Sequence, residues 1–317
     1  MSRALPLVLI PALLLAGCSG AIPASTPSPA AAVTVENCGT EVAFDAAPER
    51  VVTIKSTSTE MLLALGLGDR IVGTAFQDGP VPDEWASDAA SLPSLAEKVP
   101  SEEVVLETQP DLVYAGWESN FSADGAGERA ELATLGVASY VSPSACQSAQ
   151  QPGKLGFDNI FGDIAEVASI FRVDPSDLIA QQQKALDGVQ QVGDGRSAFW
   201  YSSGSDTPYA GAGIGAPELV METVGLTNIA SDVDATWAPL SWEAVVDADP
   251  DFIVLVDATW NTAAKKIEML ESNPATANLT AVKNKRYLVL PFAASEAGVR
   301  SVEAAVSLQK QITELDG

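Results

Sequence analysis

The stretch Arg50–Ala75, RVVTIKSTSTEMLLALGLGDRIVGTA, decides the fold. RVVTI is a short apolar strand, and the Ser and Thr residues at 56–59 offer several helix N-caps. EMLLALGLG is a helix stopped by glycine, and RIVGTA is a second strand. Strand, capped turn, helix and strand in succession form the unit of a parallel sheet.

The same grammar recurs. SEEVVLETQPDLVY (101–114) returns at a constant offset as SWEAVVDADPDFIV (241–254). Ser101 matches Ser241, Glu103 matches Glu243, Val105 matches Val245, Pro110 matches Pro250 and Asp111 matches Asp251. In each copy a short helix ends at the proline and an apolar strand begins. Between the copies, FDNIFGDIAEVASIF (157–171) and PSDLIAQQQKALDGVQQV (175–192) are helical patterns with no strand between them. The second half, with SAFWYSS, SWEAVVDA, DFIVLVD and RYLVLPF, restates the first. The expected organisation is an N-terminal α/β lobe at 33–156, a helical segment at 157–194 and a C-terminal α/β lobe at 195–317.

The first residues set the compartment. Arg3 is the lone charge before an apolar run from Ala4 to Leu15, which closes on Ala16-Gly17-Cys18. This is the form of a bacterial lipoprotein signal, so residues 1–18 read as a leader and Cys18 as the lipidated first residue, anchored to the membrane outside the cytoplasm. SGAIPASTPSPAAA, within 19–32, reads as a flexible tether. With Cys18 set aside, Cys38 and Cys146 remain in a compartment that permits disulfides, and they are either a bridged pair or two independent thiols.

The net charge is −25, with 42 acidic against 17 basic residues. That balance argues against nucleic acid and anionic lipid surfaces as partners. The chain has no histidine. A Ser-His-Asp triad and helical two-histidine zinc sites are therefore ruled out, and neither a metal site nor a resident cofactor is expected. GAGIGAP (211–217) has the wrong spacing for a dinucleotide loop.

In open parallel sheets, ligands sit beyond the carboxyl ends of the strands. Those ends supply Lys55, Ser56 and Thr57, then Trp117, Asn120 and Phe121 in the first lobe. The second lobe supplies Trp200, Tyr201, Tyr209, Trp237, Trp260, Asn261, Phe292 and Arg300. Aromatic rings on loops either stack on a ligand or pack at lobe edges. Lys55, followed by Ser and Thr at a helix N-terminus, is either an anion seat or a solvated lysine.

PERVVTIKSTSTEMLLALGLGDRIVGTA, PDLVYAGW, the mid-chain helix and PDFIVL resemble the extracytoplasmic solute-binding proteins of ABC importers for iron-siderophore, haem and cobalamin. The resemblance runs from about Val33 to the end. It implies two Rossmann-like α/β lobes with parallel sheets joined by a single long α-helix, here Pro175–Val192: a class III periplasmic binding protein. It also implies a small-molecule ligand, a permease and its ATPase as partners, and a monomer. In that family one glutamate on each lobe meets arginines of the permease, and the Pro-Asp anchors put those positions at Glu103 and Glu243. A solvated helix face is the alternative for both.

WESNFSADG (117–125) and VDATWNTAAKKIEMLESNPA (256–275) also resemble a narrower group proposed to import a deazaflavin coenzyme precursor of the F-420 type. Such a ligand is planar, aromatic and anionic, with Trp and Tyr to stack on it and Lys55 and Arg300 to meet its phosphate. A ferric siderophore suits the same residues. A lipid-anchored α/β enzyme working in the same cleft is the competing class.

Overall fold

In the computed structural model, which describes Met1, residues 32–146 and residues 153–317, the strands form two large sheets and a two-stranded hairpin. Cys18, the rest of the expected leader beyond Met1 and the tether up to residue 31 lie outside the described residues. The chain opens with an antiparallel hairpin, β1 (Val33–Asn37) and β2 (Thr40–Phe44). Then come β3 (Val51–Ile54), α1 (Ser56–Ala64), β4 (Ile71–Ala75), α2 (Ala86–Ala89), β5 (Ser94–Ala96), α3 (Glu102–Glu107), β6 (Leu112–Ala115), α4 (Arg129–Thr134) and β7 (Ala138–Val141). Their sheet has the order β5-β4-β3-β6-β7 and is parallel throughout. The topology reverses direction at β3, so the loop after Ile54 lies where such sheets bind ligands.

Two helices, α5 (Phe157–Phe171) and α6 (Ser176–Asp187), make the crossover. The expected single helix at Pro175–Val192 is therefore shorter than its pattern and has a partner. Arg172 closes α5 in the left-handed conformation, and Pro175 stands at the N-cap of α6. The buried face belongs to α5, through Ile160, Ile164, Val167, Ile170 and Phe171. No residue of α6 is fully buried. It lies along the last helix, and just ahead of that helix Gln182 Nε2 donates to the Val299 carbonyl (2.8 Å).

The second lobe runs β8 (Ser197–Ser203), β9 (Tyr209–Gly211), α7 (Ala216–Thr223), β10 (Thr227–Asn228), β11 (Trp237–Pro239), α8 (Trp242–Ala248) and β12 (Phe252–Asp257). It ends with α9 (Ala263–Ser272), α10 (Thr280–Lys283), β13 (Tyr287–Pro291), α11 (Phe292–Ser295) and α12 (Ser301–Asp316). Its sheet order is β11-β9-β8-β12-β13, with β10 beside β8. β8, β12 and β13 are parallel, but β9 runs against both its neighbours, so this sheet is mixed where a parallel one was expected. The cause is loop length: the segment 204–208 between β8 and β9 is too short for a crossover helix, and the chain must turn straight back. Gly204 makes that turn at φ +83°, where a Cβ would meet the Thr207 carbonyl oxygen at 2.2 Å.

Cys38, at the β1–β2 turn, is joined by a disulfide to Cys146 after β7, with Cα atoms 5.1 Å apart across 108 residues. Residues 32–317 form one compact unit. Among the described residues no helix is long and apolar enough to cross a membrane.

The internal repeat has a physical purpose. Ser101 and Ser241 cap α3 and α8, accepting from the Val104 and Ala244 N–H groups (3.4 and 3.1 Å), and Val105 and Val245 are wholly buried beneath them. Asp111 accepts from the Glu49 and Arg50 N–H groups (2.7 and 3.0 Å), just ahead of β3. Asp251 does the same for Ser197 at the start of β8 (2.9 Å). Each aspartate thus pins the first turn of the central strand and sets the register of its sheet. Arg50 adds a second tie, donating to the Thr108 and Gln109 carbonyls at the open end of α3. Loss of charged hydrogen bonds of this kind costs about 1–3 kcal/mol. Asp111→Ala and Asp251→Ala should each lower unfolding stability by about that amount in urea titrations, with Asp→Asn losing less.

Candidate ligand-binding cleft

The carboxyl ends of the two sheets face one another. Between them lies a cavity of about 290 Å³, walled by Trp117, Tyr209, Trp237, Trp260 and Phe292 and edged by Ser119, Ser144, Ser202, Ser203 and Thr236. Glu296 is the single charged side chain among its described lining residues. Tyr209 and Trp237 stack with ring centroids 6.3 Å apart, a consequence of the β9–β11 pairing that sets Tyr209 beside Pro239 and Gly211 beside Trp237. Trp117 and Trp260 stand edge-on to Phe292, at 5.9 and 5.5 Å. Tyr209 and Trp260 remain 42% and 44% exposed, so these rings have faces free for a ligand.

Beneath this cavity sits Lys55. Its side chain is buried and its ammonium pairs with Asp78. The Trp117, Phe76 and Phe292 ring centroids lie 3.9, 4.0 and 4.3 Å from Nζ, and Trp260 lies at 6.0 Å. Burial holds the Lys55 pKa below the usual lysine range, with Asp78 opposing that shift. The backbone of Lys55 has φ +81° and ψ 151°, a region that costs a residue with a Cβ of order 1–3 kcal/mol. Gly116 makes room for it, since a Cβ there would come within 2.7 Å of the Lys55 Cβ.

Lys55 is consequently no open anion seat. The seat at the start of α1 exists, and Asp78 fills it: the carboxylate accepts from the Ser56 N–H (3.3 Å) while the Asp78 N–H donates to Ser56 Oγ (2.8 Å). Asp78 also joins the lobes, accepting from Trp260 Nε1 (3.1 Å) and, through its carbonyl, from the Thr259 N–H (2.8 Å). A second link runs from Trp117 Nε1 to Glu296 (3.4 Å), and a third from Arg300 to Glu60 (3.5 Å). Arg300 is buried and also holds Glu303 (2.7 Å), so its charge is spent inside the protein.

The other predicted site residues divide cleanly. Ser56 borders a separate cavity of about 260 Å³ on the Arg300 side, and Thr57 borders a small void shared with Glu296. Trp200 and Tyr201 are buried in the core, because β8 continues through Ser203 and both its faces are covered. Asn120 is buried and orients Trp117, accepting from its N–H (3.2 Å). Phe121 packs against the first-lobe core, and Asn261 lends its carbonyl to Lys266 (2.7 Å). Glu103 and Glu243 stand exposed on α3 and α8, away from the cleft. Sequence reasoning missed Phe76, Asp78, Ser202, Ser203, Ser144, Thr236 and Glu296. Extending the strand-end rule to β4, and reading β8 two residues further, finds the first four.

Two α/β lobes holding an aromatic, hydroxyl-edged cavity between their strand ends define a binding protein of the two-lobed kind. The model of the periplasmic binding protein family matches residues 51–294, and the chain belongs to that family. It is 25% identical over 327 residues to the uncharacterized ABC transporter substrate-binding lipoprotein YvrC of Bacillus subtilis, covering 96% of this chain and 95% of that one. Among solved structures it is similar to a periplasmic binding protein from Veillonella parvula, with TM-score 0.75 and 27% identity, covering 88% of this chain and 97% of the other. It is equally similar to an ABC-type Fe3+-hydroxamate transport system protein from Saccharomonospora viridis, with TM-score 0.75 and 28% identity over 90% and 99% of the two chains.

Removing one member of a buried ion pair strands the other, at about 3–5 kcal/mol. Lys55→Met should therefore destabilise the protein by about that much in urea unfolding, while Lys55→Met with Asp78→Leu should recover only part of the loss, because the Ser56 N–H and Trp260 Nε1–H then lose their acceptor.

The carboxyls of Glu296 and Asp163 are both pushed up to about 7, chiefly by burial. For Glu296, Lys55 opposes the rise and Asp78 adds to it; for Asp163, Glu166 adds to it. A folded-state pKa above the unfolded one means that the native state keeps protons the unfolded chain has lost. This contribution is complete below about pH 4 and disappears as pH rises through about 7. The thermal midpoint should be higher at pH 5.5 than at pH 8, and Glu296→Gln with Asp163→Asn should narrow the gap.

Proposed function

We propose that this protein is the extracytoplasmic substrate-binding lipoprotein of an ABC importer, anchored to the bacterial membrane through Cys18. It captures a ferric siderophore of the hydroxamate type in the cleft and passes it, chemically unchanged, to the permease and its ATPase. The observation that carries this reading is the aromatic cavity between the lobes, with hydroxyl groups at its edge. Rings of this kind bury the organic shell of a chelate, and hydroxyls replace its water contacts. Family membership and the likeness to the Fe3+-hydroxamate transport protein and to YvrC support it. The same walls suit other flat or ring-bearing cargo, corrinoids and deazaflavins included. The cations expected to meet a phosphate, Lys55 and Arg300, are already paired, which favours the hydroxamate class.

Glu103 and Glu243 are proposed as the permease contacts. They occupy matching positions on two matching helices, both in the first turn and both exposed, so they offer a paired acidic surface to a two-fold partner.

Ferric trihydroxamate added to the purified protein should quench Trp fluorescence and raise the thermal midpoint, whereas a panel of siderophores, corrinoids, haem and deazaflavins without effect would refute the ligand class. Mass spectrometry of co-purified ligand should return an unaltered compound. Glu103→Arg and Glu243→Arg should abolish uptake in cells with ligand affinity unchanged; normal uptake would return both residues to an ordinary solvated face.

A further inference from the structure

We infer that the cleft selects its ligand by charge, taking a chelate or ring compound that presents a positive group to Glu296 and rejecting its anionic counterpart. This inference rests on the binding-protein reading above and names the charge class of the ligand.

The first ground is a census of charge. Glu296 is the one ionisable carboxylate among the described residues of the cavity wall, and no lysine or arginine joins it there. The nearby cations are committed elsewhere. Lys55 is locked to Asp78, Arg300 is divided between Glu60 and Glu303, and Lys266 donates to the Val256 and Asn261 carbonyls. Lys55 is thus one cation facing two carboxylates, Asp78 and Glu296, and the Arg300 group repeats the same ratio with Glu60 and Glu303. With all the carboxylates ionised, each cluster holds an excess of negative charge.

The second ground is the wall itself. Aromatic faces carry negative charge density and attract cations, most strongly where water is excluded. This protein already uses that attraction at two of the same rings. Trp117 and Phe292 pack against the Lys55 ammonium and also line the ligand cavity. Trp260 completes the set and remains partly open. An ammonium or another positive group entering from the cavity would meet the same rings and, at Glu296, the carboxylate that Lys55 leaves incompletely neutralised. An anion would meet ring faces and a carboxylate that Lys55 only partly neutralises, and would have to break the Lys55–Asp78 or Arg300–Glu60 pair to find a cation of its own.

The test uses one chelate in three charge states. A linear ferric trihydroxamate with a free terminal amine is net positive, its N-acetylated form is neutral and its N-succinylated form is negative. Each is titrated into the full-length protein by Trp quenching at pH 8, where Glu296 is ionised. The positive form should bind about tenfold or more tighter than the negative one, with the neutral form between them. Glu296→Gln should shrink that spread to about threefold or less while its thermal midpoint reports an intact fold. Equal binding across the series, tighter binding of the negative form, or an unchanged spread in Glu296→Gln would overturn the inference and leave the chelate reading standing. If no member binds, the hydroxamate reading falls. The charge assignment is then decided by phenyltrimethylammonium against benzenesulfonate: quenching by the ammonium alone sustains it, and quenching by the sulfonate or by neither overturns it.

Discussion

The ion pair between Lys55 and Asp78 is the constraint on which the cleft depends. A buried ammonium and carboxylate bring little net stability by themselves, because both give up hydration to meet. What they supply here is position. Lys55 needs an unfavourable backbone conformation to reach the pair, Gly116 must lack a side chain to admit it, and four aromatic rings from both lobes close around it. Asp78 meanwhile receives donors from the N-terminus of α1 in one lobe and from Thr259 and Trp260 in the other. The floor of the cleft is therefore also the seam between the lobes.

The two lobes reach this arrangement by repeating one device. A capped helix, a proline and an aspartate precede a buried strand, and the aspartate grips the start of the neighbouring central strand. The repeat differs where the lobes differ in task. The second sheet inserts the reversed strand β9 beside its central strand, and that reversal brings Tyr209 and Trp237 together as the outer wall of the cavity. Among the described residues the first lobe has no equivalent stacked pair at the cavity and supplies Trp117 with its supporting Asn120 instead.

Much of the site was legible in the chain and some of it was not. Trp117, Tyr209, Trp237, Trp260 and Phe292 were identifiable as cavity-wall candidates because aromatics at or beside strand ends have few other places to go. Trp200 and Tyr201 misled because strand length sets where a strand's end lies, and SAFWYSS continues as a covered strand through its serines. Lys55 and Arg300 misled for a different reason. Their types and positions suit anion binding, but Asp78, Glu60 and Glu303 reach them first, and two of these pairings join residues far apart in sequence or in different lobes. Local patterning carries no record of such partners.

The sequence by itself determined the alternation of strands and helices, the doubling of the lobe and the aromatic character of the strand ends. Each is written in spacing, capping residues and turn chemistry that act over a few positions. Only the tertiary structure decided which charges remain available. Ionisable groups respond to whatever folding brings within a few ångströms, and at this cleft it brings carboxylates to both candidate cations and leaves Glu296 facing the ligand space.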